Sequence, residues 1–326
     1  MNCYLSRNYN HKTDAGKAKL DYEQIFREMG CKNVGLRQTT YDNVVISFLF
    51  TLIGVLKSPF SIHKGDVLIL QYPVKKYFAL IHDLGSFRRK KITITQEIKR
   101  LNHADCVIAA NDNMREWLTQ NGCKTQLVVQ EIHDYLSETT ANSKASVRKP
   151  FSVVYAGQLS PRKNSFLYEL LEHIHAFEFY IYGYGFLINK AKRNQHVHYM
   201  GHVNSDDLIV SIKGDFGLIW DGDSISGCKG ALGEYLRYNN PYKTSLYIRS
   251  ELPVIVWSDS ALAGFVRENE IGICVNSLSE LNDILESITE QQYMEMKTNT
   301  ARISKLLQEG HFIQKAITRA LDSIGR

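Results

Sequence analysis

The sequence has no C-x-x-C pair, no cluster of side chains at metal-ligand spacing, no internal repeat and no low-complexity stretch. Each absence closes a class. Its six cysteines (Cys3, Cys31, Cys106, Cys123, Cys228 and Cys274) are scattered. That pattern suits reduced thiols in a cytoplasm and argues against a disulfide frame or a zinc site. The start lacks the apolar core of a secretory signal, because Met1-Asn2-Cys3-Tyr4-Leu5 runs straight into polar sequence. No apolar run reaches the roughly 20 residues of a spanning helix. The run Val44 to Leu56 is broken by Ser47, Thr51 and Gly54. It is expected to be a helix buried in the core or at a subunit contact, the other reading being shallow contact with a bilayer surface. A net charge of +5 is too mild to point to nucleic acid, though it suits an anionic ligand or an anionic membrane.

What is present is an alternation. With 326 residues, 44% hydrophobic and 22% charged, the chain is long enough for two globular domains. Short apolar runs bounded by polar turns read as strands near residues 1–6, 33–37, 67–71 and 106–110, with a last one near 127–130. Helical spacing over 14–29, 97–104 and 112–121 separates them. Polar, aperiodic residues 137–149 read as a linker. A second series begins at 151–157 and continues with strands near 178–182, 197–200, 216–220, 253–256 and 272–275. A long helical stretch, 290–324, closes the chain. Strand–helix alternation on this scale predicts two parallel α/β domains with a cleft, over residues 1–148 and 149–305, with 306–326 as a terminal helix.

In parallel α/β sheets ligands bind beyond the carboxyl ends of the strands. Four such ends in the second half carry suggestive residues. Gly157 would let the backbone approach a ligand, and Lys163 and Ser165 behind it can bind phosphate. Gly183 and Gly185 permit a tight turn around Tyr184, an aromatic face for a base or sugar. Asp221-Gly222-Asp223 resembles a metal-binding D-x-D step, but carboxylates on a turn more often cap backbone donors, and no metal is expected. Asn239-Asn240-Pro241-Tyr242-Lys243-Thr244-Ser245 is a turn opening a helix, where free N–H groups, the helix dipole, Lys243 and Ser245 suit an anion. An ordinary strand–helix loop would look much the same. In the first half, Thr13 to Lys17 reads as a helix start capped by Asp14, and His82-Asp83 lies at an expected strand end as a substrate contact. The basic cluster Arg88 to Lys91, with Lys75 and Lys76, reads as a solvated face, with attraction to an anionic membrane as the other reading.

Several of these stretches together resemble a bacterial GT-B glycosyltransferase family, the one containing the glucosyltransferase of serine-rich adhesins and β-1,6-galactofuranosyltransferases. They are Ala15-Gly16-Lys17-Ala18, His82-Asp83-Leu84, Glu97 to Met114, Tyr155 to Leu159, Gly183-Tyr184-Gly185, Gly217 to Trp220, Asn239 to Ser245 and Pro253 to Trp257. The resemblance covers nearly the whole chain. It implies a GT-B fold of two Rossmann-like domains facing a cleft, with the C-terminal helix crossing back to the first. It implies metal-independent hexosyl transfer (glucose, galactose or galactofuranose) from a UDP-sugar to a carbohydrate acceptor, lipid-linked or on a glycoprotein. It also implies a homo-oligomer. The enzyme would be cytoplasmic, or peripheral at the inner face of the membrane. The donor would meet Gly16, Gly157, Lys163, Ser165, Gly183, Tyr184, Gly185, Asn240, Lys243 and Ser245, and the acceptor His82 and Asp83. Lys243 would meet charge growing on the β-phosphate. If transfer inverts configuration, Asp83 and Glu97 are the available bases. The chain departs from the family in having Gly157-Gln158-Leu159 where Gly-Asn-Leu is expected, and from retaining GT-B enzymes in lacking a glutamate pair over 240–245. A non-catalytic sugar- or nucleotide-binding subunit and a sugar-nucleotide epimerase are the rival readings.

Overall fold

The computed structural model describes residues 1–6, 16–36, 43–72, 78–88, 92–142 and 149–325. The expected cap Asp14, Lys75, Lys76 and the basic residues 89–91 lie outside them. The chain forms two compact units, residues 1–136 with 310–326, and residues 137–309. The first unit therefore ends twelve residues before the expected 148, and the returning segment begins at 310 where 306 was expected.

In the first unit the elements are β1 (Asn2–Tyr4), α1 (Lys17–Glu28), β2 (Lys32–Asn33), α2 (Val44–Lys57), β3 (Val67–Tyr72), β4 (Phe78–Ile81), α3 (Gly85–Arg88), α4 (Ile94–Leu101), β5 (Cys106–Ala109), α5 (Asp112–Gln120) and β6 (Gln126–Val129). The strands form a parallel sheet in the order β2-β1-β3-β4-β5-β6. The inner strands β3, β4 and β5 are short, largely apolar runs, since buried parallel strands need no alternation of polar residues, while β2 at the edge is the polar pair Lys32–Asn33. The stretch from Ile92 is a helix start. Thr93 and Gln96 form a reciprocal capping box that opens α4.

The second unit comprises β7 (Ser152–Ala156), α6 (Pro161–Asn164), α7 (Phe166–Leu170), β8 (Glu178–Tyr182), β9 (Val197–Gly201), α8 (Ser205–Ser211), β10 (Phe216–Ile219), α9 (Gly230–Glu234), α10 (Tyr242–Arg249), β11 (Val254–Trp257), α11 (Leu262–Asn269), β12 (Gly272–Val275), α12 (Leu281–Ser287) and α13 (Glu290–Gln308). Its sheet is also parallel, in the order β12-β11-β10-β7-β8-β9. The chain winds outward from β7 to β9, then returns to the far side of β7 to lay down β10, β11 and β12. The winding reverses between β7 and β10, and that is where such a sheet binds its ligand.

Two expectations need correction. The helical stretch 290–324 divides at Gly310, where 306 was expected. Gly310 adopts φ 69°, a left-handed conformation that ends α13 and admits α14 (His311–Ser323). Ile313, Ala316, Ile317 and Ala320 of α14 then join the core of the first unit beside Ile25, Phe26 and Ile108. Nor is α2 buried. Val45 is 65% exposed, Phe48 64% and Leu56 63%. The reason is which face it packs with, taken up below.

Candidate active site

The second unit's site is built on a loop stitched to a loop. Beyond β7 the chain turns at Gly157 and opens α6 at Pro161. Beyond β10 it turns at Gly222. Gly222 N–H donates to Lys163 O at 2.8 Å, and Phe166 N–H donates to Gly222 O at 3.3 Å. A side chain could not replace Gly222: a Cβ there would lie 2.1 Å from Lys229 O. The stitch brings Lys163, from one loop, to Asp221, from the other.

A third element completes the cluster. Tyr247 of α10 lies flat against β10, where a Cβ on Gly217 would meet its ring at 2.3 Å. Its hydroxyl accepts from Ala156 N–H at 2.6 Å. Helix α10 is thereby fixed across β7 and β10, and Lys243 in its first turn reaches the strand ends. The Lys243 Nζ donates to Tyr155 OH, Trp220 O and Asp221 Oδ1, each at 3.1 Å. It also stands 4.2 Å from the centre of the Tyr155 ring. Asp221 Oδ2 faces Lys163 Nζ at 3.5 Å. The Tyr155 hydroxyl, 3.0 Å from both Trp220 O and Asp221 Oδ1, accepts from Asn164 Nδ2 at 2.6 Å.

One carboxylate thus carries two ammonium groups. Burial alone would raise the Asp221 carboxyl, but Lys243 and then Lys163 outweigh it and hold it below the usual range. Burial pulls the Lys243 ammonium down, Asp221 partly restores it, and the balance lies at about 8. Burial, then Asp221, pushes the Tyr155 hydroxyl well up. The cluster holds two cations against one anion and keeps a positive surplus where the winding reverses.

The structure sorts the expected donor residues. Lys163 and Lys243 come together on Asp221, which was not among them. At Gly157 the φ is +142° and a Cβ would have no neighbour within 4 Å, so the backbone has open space beside it. Gly183 and Gly185 have a different cause. A Cβ on Gly183 would lie 1.8 Å from Gly157 O, and one on Gly185 2.4 Å from Leu159 O. These glycines let the two loops pair, with Leu159 N–H donating to Tyr184 O at 2.7 Å. Tyr184 is 66% exposed and stacks on His202 with ring centres 3.9 Å apart. Ser165 ends α6 and is half-buried. Asn240 and Ser245 are buried, Ser245 completely, so its hydroxyl is not presented at the helix start. The first turn of α10 has no side-chain cap, and its N-cap is Pro241.

In the first unit, Gly16 is buried at the N-cap of α1. Beside it Lys17 Nζ is committed to Leu136 O at 2.6 Å and Asp21 Oδ1 at 3.2 Å. His82 follows β4, its Nε2 2.7 Å from Gln71 Oε1. It stacks on Tyr22 at 5.0 Å and on His133 at 5.9 Å. Burial, then His133, then Lys19 push its imidazole well below the usual range and keep it neutral. His133 is pushed down to about 4 by burial, and its Nδ1 lies 2.6 Å from Tyr22 OH. Asp83 is half-buried beside this group. Glu97 lies elsewhere in kind. It has no exposure, and it accepts from Tyr72 OH and Gly85 N–H at 2.7 Å, Ser86 N–H at 3.0 Å and Ser86 Oγ at 2.5 Å. A carboxylate so enclosed holds a loop and does not reach an acceptor hydroxyl, which leaves Asp83 as the base candidate.

Sequence models of the Glucosyltransferase 3-like N-terminal and C-terminal domains match residues 2–80 with 75–132, and residues 153–320. The chain belongs to the Glucosyltransferase 3-like family. One relative is the beta-1,6-galactofuranosyltransferase WbbI of Escherichia coli, 32% identical over 282 residues, 81% of this chain and 82% of that one. Another is Glucosyltransferase 3 of Streptococcus gordonii, 25% identical over 285 residues and 80% of each chain. This family of glycosyltransferases has the GT-B fold, and solved structures agree. Sucrose-phosphate synthase of Thermosynechococcus elongatus superposes with a TM-score of 0.66 at 13% identity, covering 98% of this chain and 99% of that one. Anabaena HepE in complex with UDP superposes with a TM-score of 0.61 at 13% identity over 99% of both.

Tyr155, Asn164, Tyr22, His133, Gln71 and Gln130, whose Nε2 donates to Tyr22 OH, escaped the sequence reading as site residues. Tyr155 sits within a strand motif, where nothing marks it as more than core. Its partner Lys243 is 88 residues away. His133 and Gln130 lie just past β6, in a segment with no turn or glycine signal.

Proposed function

We propose that this transferase moves a hexose from a UDP-sugar to a carbohydrate acceptor, with the diphosphate seated at the ends of β7 and β10. The observation that carries this reading is the Lys163–Asp221–Lys243 cluster at the reversal of the sheet. When the bond between the sugar and UDP breaks, negative charge grows on the β-phosphate, and fixed cations there act on the rate. Lys163, with its side chain 35% exposed, is the cation free to reach an oxygen. Lys243, 11% exposed, supplies charge from behind and fixes Asp221. The open flank of Gly157 and the positive end of the α10 dipole favour approach of an anion. Tyr184 on His202 offers a face for the uracil. Both Asp221 oxygens are engaged by ammonium groups, so charge compensation falls to lysine and transfer is metal-independent. His82 and Asp83 receive the acceptor, with Asp83 as base if configuration inverts.

The test is a donor screen with UDP-glucose, UDP-galactose and UDP-galactofuranose, reading free UDP with and without excess EDTA. EDTA-resistant UDP release from one of them is expected. No UDP binding and no release from any would overturn the reading. Loss of release restored by manganese would overturn the metal-independent part alone.

A further inference from the structure

Helix α2 packs on the first unit with its polar side. Gly54 is buried against the backbone of Leu36, where a Cβ would stand 3.1 Å from the Leu36 nitrogen. Ser58, one turn on, is also buried, and Thr51, one turn back, is half-buried. These positions share one stripe, spaced by three and four residues. The opposite stripe is Val45, Phe48, Leu49, Leu52, Ile53 and Leu56, all exposed. At about 100° per residue, the exposed apolar arc, flanks included, spans roughly 220°. A globular core selects the reverse arrangement, so this surface has another contact.

Two observations identify it. A partner helix covers a stripe of about 100°, and an arc twice as wide suits a continuous apolar phase. From Val44 to Gly65 the chain contains no aspartate or glutamate, but it contains Lys57, His63 and Lys64. Phe60, just past the helix, is 87% exposed. Between Asp42 and Asp66, which bound this segment, the charged side chains are cationic, and with the apolar face they complement an anionic lipid surface. With 14 residues, α2 is about 21 Å long, so it lies in the interface and does not cross. Among the described residues no helix is long and apolar enough to cross. We propose that α2 and the turn after it dock the protein on the surface of an anionic bilayer. This does not depend on which sugar is moved.

The full chain is sedimented with vesicles of phosphatidylcholine alone or mixed equally with phosphatidylglycerol. Binding to the mixed vesicles is expected, weaker in high salt. Phe48→Ser/Leu49→Ser should lower it at least tenfold, and Lys57→Gln/Lys64→Gln should abolish the preference for phosphatidylglycerol, both with unchanged melting temperature. Absence of vesicle binding by the natural chain overturns the proposal, as does equal binding by the variants. A large assembly that the serine variant converts to monomers, without vesicle binding, shows that a second copy covers the helix. Should the serine variant fail to fold, the lysine variant decides: a retained preference for phosphatidylglycerol overturns the proposal.

Discussion

Lys163 and Lys243 face the same carboxylate from unlike surroundings, and that difference separates their roles. Removing Lys243 leaves Asp221 and Tyr155 buried with a lost partner, so Lys243→Ala should lose about 3 kcal/mol of stability together with most turnover. Lys163→Ala should keep its melting temperature and weaken UDP binding roughly tenfold or more, as expected for one charge-assisted contact. Calorimetry with UDP beside a thermal melt checks both, and equal stability losses would contradict the assignment. Because Lys243 loses its proton near 8, UDP affinity should fall as pH rises past that value. In Lys243→Met the fall should vanish. Glu97→Gln should cost about 2 kcal/mol, because its amide NH₂ must face either the Gly85 and Tyr72 donors or the Ser86 donors, while the rate of the folded protein stays within a few-fold. At this scale Gly157 and Lys163 stood out by their place after a strand and Lys243 by the turn that opens its helix. Glu97 and Ser245 were misread, because their burial comes from contacts remote in sequence.

Helix α14 is held by a group that nothing in its own sequence announces. Asp134, with no exposure, accepts from Phe312 N–H at 3.1 Å and Ile313 N–H at 2.7 Å. Burial raises its pKa to about 7; the two N–H groups oppose this, and Asp21 adds to it. An unfolded aspartate titrates near 4. Between these values the folded state holds a proton that the unfolded state has lost. Stability from this group is therefore full at about pH 4 and below, and falls as pH rises toward 7, by up to about 1.4 kcal/mol per unit. Urea titrations should show that slope in the natural chain and a flatter one in Asp134→Asn. Gly310→Ala meets two obstacles, a left-handed φ and a Cβ 2.8 Å from the Ile25 side chain, and should lose about 2 kcal/mol. Strands and their order of appearance were legible because buried parallel strands are short unbroken apolar runs. The break at Gly310 was not, because one glycine in a long helical pattern reads as tolerated. The exposure of α2 was not either, since periodicity shows that a helix has two faces and is silent on which one meets the protein.

The second unit is one uninterrupted segment, 137–309, and Arg249 locks its start. Its guanidinium donates to Ser137 O at 3.1 Å, Thr139 O at 3.0 Å and Ser304 Oγ at 2.9 Å. Expressed alone, residues 137–309 should fold and bind UDP, as circular dichroism and calorimetry would show. Residues 1–136 alone should fail to fold, since α14 fills their core. This division sets the order in which the protein matures on the ribosome. Domains usually fold in the order they are made, at about 5–20 residues per second. Here the earlier half must wait for the last helix, about ten to forty seconds after its own residue 136 is added. In that interval the later half can complete itself, while the nascent amino-terminal half stays a client for chaperones. A message truncated just before the codons of α14 yields a finished second unit joined to a first that cannot close, one truncated earlier finishes neither, and in both cases proteases are supplied with a mark of incomplete synthesis.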